Sequence, residues 1–195
     1  MDAFLETERL RLRRFTPDDA DLLVDLDSDP EVMRYLTGGR PTSRDRIESS
    51  TLPQIVETYA RDPGLGVFAT FTRDAGEFVG WFMLVRNEDS PAGEAELGYR
   101  LRQAAWGNGY ATEGGVALLR HGFVTLGLRR IVADTMAVNS RSRHVLDKLG
   151  LRYQHTYFPS YAPIPGSEHG EVRYALDRDE WGDSASQRKN LHGLS

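Results

Sequence analysis

The sequence predicts a mixed α/β (α+β) fold in which helices cover both faces of one β-sheet. Apolar and polar residues alternate over 67–72, 78–86 and 94–101, which is the period of half-buried strands. Elsewhere apolar residues recur every three or four positions, which is the period of amphipathic helices. The resulting order is strand, helices, three strands, helix, strand, helix and two strands, which indicates one sheet with helices packed on it.

The N-terminal part of the chain predicts one strand and three helices. Leu and Arg alternate over 9–15, which indicates a half-buried first strand. A Thr-Pro-Asp-Asp start at residue 16 is typical of a helix N-terminus, and its five aspartates up to residue 27 are expected on the solvated face. A second helix follows Asp29, and a third is predicted over 42–59, where Pro53 should kink or split it.

The rest of the chain alternates between strands and helices. A turn at 74–76 should join the strands 67–72 and 78–86 as an antiparallel hairpin, with a polar loop at 87–93 before the next strand. A long helix is predicted from about Ala111 to a C-cap at Gly127, because Val116, Leu119, Phe123 and Leu126 share one helical face. The last predicted elements are a strand at 130–136, a helix at 139–149, and strands at 151–158 and 171–176.

Length and composition limit the classes of protein. The chain has 195 residues and a net charge of −5, so we expect one domain at 1–181 and a polar tail at 182–195. Cysteine is absent, which excludes disulfide scaffolds, zinc–thiolate sites and a cysteine nucleophile. The acidic balance disfavours nucleic acid as a partner, and no apolar run suits a signal peptide or a membrane span. We therefore expect a cytoplasmic protein.

The strongest chemical signal is the glycine-containing segment 106–112, Trp-Gly-Asn-Gly-Tyr-Ala-Thr, between a strand and the long helix. Glycine lets the backbone approach a ligand closely, and the first N–H groups of a helix favour an anion. No Gly-Lys-Ser/Thr follows, so the segment is not a P-loop, and Thr112 stands where a dinucleotide fingerprint has its third glycine. The segment predicts a phosphate site; a glycine-rich helix entry without a ligand is the alternative.

Several sequence blocks resemble the GNAT N-acetyltransferase superfamily, in particular its branch that acetylates the N-termini of ribosomal proteins. That family binds the acyl-CoA pyrophosphate with a Gln/Arg-x-x-Gly-x-Gly/Ala loop, which 106–111 matches except that Trp106 replaces Gln/Arg. The branch commonly shows the Trp-Gly-x-Gly-Tyr-Ala-Thr-Glu form seen at 106–113. Further matching blocks, in the family's order, lie at 7–13, 28–32, 96–99, 139–151 and 174–181.

The resemblance implies a mostly antiparallel, splayed central sheet and acetyl transfer from acetyl-CoA to a primary amine by direct attack. The amine acceptor is a protein N-terminus or a small molecule. The implied CoA-binding residues are Leu97, Gly98, Tyr99, Gly107, Asn108, Gly109, Tyr110, Ala111, Thr112, Asn139 and Ser142. Backbone N–H groups near Gly98 would stabilise the oxyanion, although Gly98 could instead pack beneath a helix. Asn139 either holds the pantetheine arm or only caps its helix.

Two residues are candidates for moving protons. Glu96 is the candidate base because a carboxylate near the thioester that is desolvated, or paired with Glu94 on the same face, can accept a proton; a structural or solvated strand glutamate is the alternative. Many relatives place a tyrosine acid at the position of Leu146, which has no proton to give. Ser142, one helical turn earlier, is the candidate that stabilises the leaving thiolate.

No metal ligand set is expected, because His121, His144 and His155 have no metal-binding spacing. Trp81, Tyr157 and Tyr161 are candidates for an acceptor pocket, with core or loop packing as the alternative. Three functions besides acetyl transfer stay open: a catalytically weakened CoA-binding module, transfer of another acyl group such as succinyl, and nucleotide binding by the same glycine loop. A homodimer is an open alternative to a monomer.

Overall fold

The structure, a computed structural model, describes residues 3–87 and 89–182. Its strands are β1 (Leu5–Glu6), β2 (Leu10–Arg14), β3 (Gly66–Thr72), β4 (Phe78–Val85), β5 (Glu94–Leu101), β6 (Arg130–Met136), β7 (Arg152–Tyr157) and β8 (Glu171–Asp177). Its helices are α1 (Ala20–Ser28), α2 (Pro30–Thr37), α3 (Arg44–Arg46), α4 (Leu52–Arg61), α5 (Tyr110–Arg120) and α6 (Ser140–Leu149). None of the helices in these residues is long and apolar enough to cross a membrane.

All eight strands form one sheet, in the order β1-β2-β3-β4-β5-β6-β8-β7. Every neighbouring pair is antiparallel except β5 and β6, which run parallel. The parallel pairing covers only Glu94–Glu96 opposite Arg130–Val132, although both strands continue further. The sheet therefore opens between β5 and β6 beyond residue 96, and the expected mostly antiparallel, splayed sheet is confirmed.

Helices pack on both faces of the sheet, as the alternating apolar pattern predicts. On one face Leu118 of α5 and Leu149 of α6 join a core with Phe68 of β3. On the other face Leu52 of α4 joins a second core with Ala69, the next residue of β3. Because successive strand residues point to opposite faces, one strand contributes to both cores.

Helix α5 approaches the sheet closely because it carries glycine at its contact position. A Cβ on Gly114 would lie 2.4 Å from Cζ of Phe82 on β4, and one on Gly115 would lie 2.6 Å from Cδ1 of Leu149. A larger residue would require α5 or the Phe82 ring to move at Gly114, and the Leu149 side chain to shift at Gly115. These two glycines set the distance between α5, the sheet and α6.

The predicted third helix changes its hydrogen bonding just before Pro53. Its segments are α3, a π-helical turn at Ile47–Thr51 and α4, and the Leu52 N–H bonds to the carbonyl oxygen of Ile47, five residues back. A proline ring crowds the carbonyl four residues before it and offers no N–H. The wider π turn immediately before Pro53 accommodates both effects, so Pro53 alters the helical hydrogen bonding without splitting the helix.

Two parts of the N-terminal prediction differ from the structure. Strand β1 pairs with β2 through Leu5 and Glu6 only, a segment too short to show a period in the sequence. The aspartates of the first helix do not all face solvent: Asp19 and Asp27 are buried. Arg13 donates to both carboxylate oxygens of Asp19, at 2.7 and 2.8 Å, and this pairing offsets the loss of hydration.

The remaining boundaries agree with the prediction to within a few residues. The long helix ends in a π-helical turn at His121–Thr125, followed by Gly127 with φ of +66°. Short 3-10 turns lie at Pro17–Asp19, Gln103–Ala105 and Ser167–His169. Residues 183–195, nearly all of the predicted polar tail, lie outside the described residues.

Candidate active site

The opening between β5 and β6 exposes one backbone edge of β5. Leu97, Gly98 and Tyr99 pair with β4 on one side, while β6 from Ala133 onward pairs only with β8. Alternate N–H and C=O groups of this part of β5 therefore face the opening with no neighbouring strand. Such an edge can donate hydrogen bonds to an acyl oxygen. A Cβ on Gly98 would lie 2.6 Å from Cε of Met83, so close packing against β4 also favours glycine there.

The glycine segment forms a turn that leads directly into α5. Gly107 and Gly109 have φ of +77° and +81°, a region that residues with a Cβ rarely occupy, and Gly109 is the N-cap of α5. The amides of Tyr110, Ala111 and Thr112 form the first turn, where N–H groups have no partner within the helix. The structure thus brings all six predicted residues from Gly107 to Thr112 together at one helix N-terminus, where an anion is favoured.

Trp106 takes part in shaping this turn. Its Nε1 donates to the carbonyl oxygen of Leu101 at 2.9 Å, which holds the ring against the end of β5. The guanidinium of Arg141, on the first turn of α6, lies 5.3 Å from the Trp106 ring centroid. The Arg141 guanidinium of α6 therefore lies beside this loop, whose first position carries Trp106 instead of the Gln/Arg of the family pattern.

Helix α6 lies on the same side of the sheet as α5 and holds Asn139 and Ser142. The side-chain oxygen of Asn139 accepts the Ser142 N–H at 3.2 Å, which is an N-cap contact. Tyr99 Oη donates to Ser142 Oγ at 3.3 Å, so the hydroxyl lies beside β5. Burial raises the pKa of Tyr99, and its bond to Ser142 lowers it by less. Leu146 is 2% exposed and packs in the core with Leu149.

Glu96 lies on the opposite face of β5 from Leu97 and Tyr99. Its Oε2 accepts from Asn87 Nδ2 at 2.7 Å. Burial raises the pKa of the Glu96 carboxyl above its ordinary value, the Asn87 amide opposes this, and Asp134 raises it further. Glu94, on the same face, instead approaches Arg130, with 3.7 Å between Oε2 and Nε. Desolvation, not pairing with Glu94, thus makes Glu96 a better proton acceptor than an exposed glutamate.

Beside Glu96 the ends of β6, β7 and β8 form a charged and aromatic cluster. Arg173 makes two hydrogen bonds to Asp134, at 3.0 and 2.6 Å. Tyr157 and Tyr161 donate to the two carboxylate oxygens of Glu171, at 3.0 and 2.7 Å. Burial, followed by the Glu171 bond, raises the pKa of Tyr161 to about 12, so its hydroxyl stays a donor at neutral pH.

The sequence had indicated Tyr157 and Tyr161 but none of their charged partners. Asp134 and Arg173 are directly opposite each other in the β6–β8 register. Opposite charges at directly opposed positions stabilise a pair of strands. The sequence alone does not give the register, so it could not identify this pair. Tyr161 also lines a cleft of 390 Å³ with Phe158, Pro159, Pro163, Ile164, Ser167 and Glu168.

Other candidates from the sequence have packing roles. The His121 ring nitrogen Nε2 lies 2.8 Å from the Gly64 carbonyl oxygen, and the ring meets Phe4 edge-on. Trp81 lies under the Arg100 guanidinium, 5.1 Å from it, and Arg100 is in turn ion-paired with Asp27. Within residues 3–87 and 89–182 no group of three or more His, Asp or Glu side chains could hold a metal ion.

Comparison with known proteins gives evidence about the family of the chain that does not depend on the site geometry. Residues 9–152 match the model of the acetyltransferase (GNAT) domain family. The chain is similar to FsC-acetyl coenzyme A-N(2)-transacetylase of Aspergillus fumigatus, with 37% identity over 185 residues that cover 91% of this chain and 77% of the relative.

Two solved structures resemble the fold. The ribosomal L7/L12 alpha-N-protein acetyltransferase RimL, in complex with coenzyme A, has a TM-score of 0.76 and 18% identity and covers 92% of this chain and 99% of its own. Spermidine N-acetyltransferase from Vibrio cholerae, in complex with CoA and spermine, has a TM-score of 0.72 and 18% identity and covers 90% and 99%. At these identities the likeness establishes the fold alone.

Proposed function

The chain belongs to the GNAT acetyltransferase family, and from that premise we propose that it transfers the acetyl group of acetyl-CoA to a primary amine by direct attack in a ternary complex. The observation that carries the proposal is the split between β5 and β6 beside the glycine turn of α5. A thioester can enter such a split while its pyrophosphate reaches a helix N-terminus. We assign this activity to one domain comprising residues 1–181.

On the donor side, the first-turn amides from Tyr110 to Thr112 would receive the pyrophosphate. The free edge of β5 at Gly98 would hold the thioester carbonyl and donate to the oxyanion that forms during attack. When the C–S bond breaks, the sulfur takes the electron pair. The Ser142 hydroxyl, which accepts from Tyr99 Oη while the Ser142 backbone N–H donates to Asn139, would then stabilise the developing thiolate.

On the acceptor side, Glu96 would take the proton that the amine must lose. A free alkyl ammonium has a pKa near ~10, so a base is needed at neutral pH. The raised pKa of Glu96, caused mainly by burial, suits this role. The charged groups here are three carboxylates, those of Glu96, Asp134 and Glu171, and the guanidinium of Arg173. This excess of negative charge favours an acceptor that carries an ammonium group.

We further propose that the acceptor is a small molecule. The N(2)-transacetylase named above, at 37% identity, supports this over a protein N-terminus.

The test is a CoA-release assay with purified protein, acetyl-CoA or succinyl-CoA, and a panel of amines. The panel contains FsC, after which the Aspergillus fumigatus relative is named, together with spermidine and a peptide with a free N-terminus. Release with acetyl-CoA and a small amine, with intersecting double-reciprocal plots, supports the proposal. Tight CoA binding without turnover on any amine would indicate a binding module, and preference for the peptide would overturn the small-molecule assignment.

A further inference from the structure

The segment before β2 is bonded directly to the first turn of α5. Thr7 Oγ1 and the Arg9 backbone N–H both donate to Glu113 Oε1, at 2.5 and 2.9 Å. The Arg9 guanidinium donates through Nε to Glu113 Oε2 at 2.7 Å, and its Nη2 lies 2.6 Å from the same oxygen. Two N-terminal residues thus provide four contacts to one carboxylate more than a hundred positions away.

The same guanidinium also reaches the glycine turn. Arg9 Nη1 donates to the Asn108 carbonyl oxygen at 2.9 Å, between the two glycines with positive φ. The Arg9 Cζ atom lies 4.9 Å from the centroid of the Tyr110 ring. The side-chain amide of Asn108 bonds only locally, to the carbonyls of Ala104 and Trp106. Arg9 therefore connects the turn to the sheet.

We propose that Thr7 and Arg9 are positioning residues for acyl-CoA: they hold the 107–109 turn in its anion-binding shape and neutralise Glu113 beside it. This inference rests on the proposed function, because it assigns these residues to the same donor site. Two glycines make the free turn flexible, so an anchor at Asn108 lowers the entropy that CoA binding must remove.

The charge on Glu113 is the second reason for this assignment. Glu113 lies in the first turn of α5, close to the amides that would meet the pyrophosphate, where an unpaired carboxylate would repel an anion. Burial raises the pKa of Glu113, but the bonds from Thr7 and Arg9 outweigh that effect and lower it overall. The carboxylate is therefore charged at neutral pH, and the Arg9 guanidinium compensates it.

The contribution of these contacts to folding is expected to be small. The Arg9 side chain is 46% exposed, so solvent screens its ion pair and the pair adds little to stability. If the pairing served only the fold, its loss would affect every donor substrate equally. If the pairing shapes the 107–109 turn, its loss should weaken only the use of donors that carry the pyrophosphate. These two consequences can be measured separately.

The experiment compares Arg9→Met with the matched control Arg11→Met. Arg11 is two residues further on, and its Nε donates to Glu6 at 2.8 Å on the exposed side of β2. Two donors are used: acetyl-CoA, and S-acetylpantetheine, which lacks the pyrophosphate. For Arg9→Met we expect KM for acetyl-CoA to rise about 10- to 100-fold, as for loss of charged hydrogen bonds, with kcat and S-acetylpantetheine kinetics within about twofold of wild type. Arg11→Met should match wild type with both donors.

Equal losses with both donors, or an unchanged KM for acetyl-CoA, would overturn the inference. Thr7→Val removes a single hydrogen bond to the Glu113 carboxylate, which is a smaller change than Arg9→Met. It should also raise KM for acetyl-CoA. The CoA dissociation constant, measured by calorimetry, separates this inference from the proposed function. A protein that binds CoA but acetylates no amine refutes the function, while a weaker CoA affinity in Arg9→Met still supports the positioning role.

Discussion

Replacing Glu96 by Gln tests the chemical step of the proposed mechanism. Gln has the same shape and its side-chain oxygen can still accept from Asn87, which now donates to Glu96 Oε2 at 2.7 Å. The substitution therefore removes the basic carboxylate while leaving the hydrogen-bond partner in place. Its effects should be confined to proton transfer and to the cost of burying a charge.

The expected loss of rate follows from the role of a general base. Such a group contributes about 10²- to 10⁴-fold, so kcat should fall by about that factor. The CoA dissociation constant should not change, because Glu96 lies on the opposite face of β5 from Tyr99 and Ser142. In wild type, kcat should decline as pH falls through the raised pKa of Glu96, and Glu96→Gln should lose this decline.

Glu96→Gln should raise the stability of the folded protein although it lowers kcat. The folded-state pKa of Glu96 lies above the unfolded value near 4.5, mainly because of burial, so between these two pKa values the folded protein binds more protons than the unfolded chain. The free energy of unfolding contributed by this group therefore falls as pH rises through that window and stays low above it. Glu96→Gln should melt higher than wild type at pH 8 and at the same temperature at pH 4.

Steady-state CoA release and thermal melts across pH 4–9 measure both effects. Glu94→Gln is the matched control, because it alters a glutamate on the same face of β5 that contacts Arg130 instead. It should retain kcat within a few-fold. If Glu96→Gln turns over normally, or loses activity together with CoA binding, Glu96 is not the base.

Four further outcomes follow from the site and its supports. Ser142→Ala should lower kcat about 10- to 100-fold in steady-state assays with little change in the acetyl-CoA dissociation constant, because the bond to sulfur strengthens only as charge develops. Gly109→Val should weaken CoA binding at least about tenfold by calorimetry, whereas Gly127→Val, also at a positive φ (+66° against +81°) and in open space, should not. Gly114→Ala should lower the free energy of unfolding by about 1–3 kcal/mol in denaturant melts, since its Cβ would overlap Phe82. Excess EDTA should leave turnover unchanged; loss that one divalent ion restores would contradict the metal-free mechanism.

Much of the fold could be predicted because its strands obey a strict local period. Strands β5 and β6 have the predicted bounds, 94–101 and 130–136, since the first alternates between two faces and the second is a β-branched, apolar run. The glycine turn was also predictable, because positive φ at Gly107 and Gly109 leaves a residue-type signal in the sequence. These signals depend only on neighbours in sequence.

The contacts that were missed depend on neighbours in space. Asp134 and Arg173 are 39 residues apart and meet only through the β6–β8 register. Arg9 and Glu113 are 104 residues apart and meet because β2 begins beside the first turn of α5. In the same way, Asp27 looked solvated from its helix position but is buried against Arg100 of β5. No local period records such pairings, so they required the fold.

Strand β5 explains why the proposed reaction can be divided between two faces of one sheet. Its period of two directs Glu96 to one face and Tyr99, with Ser142, to the other, while the free backbone edge at Gly98 lies between them. An amine arriving from the Glu96 face would meet the acyl carbon at this edge and give its proton to that face. The thiolate would leave on the side of α5 and α6, where the amides of the first turn would hold the rest of CoA. Acceptor and donor could therefore be bound at the same time from opposite faces and meet at this edge, as direct attack in a ternary complex requires.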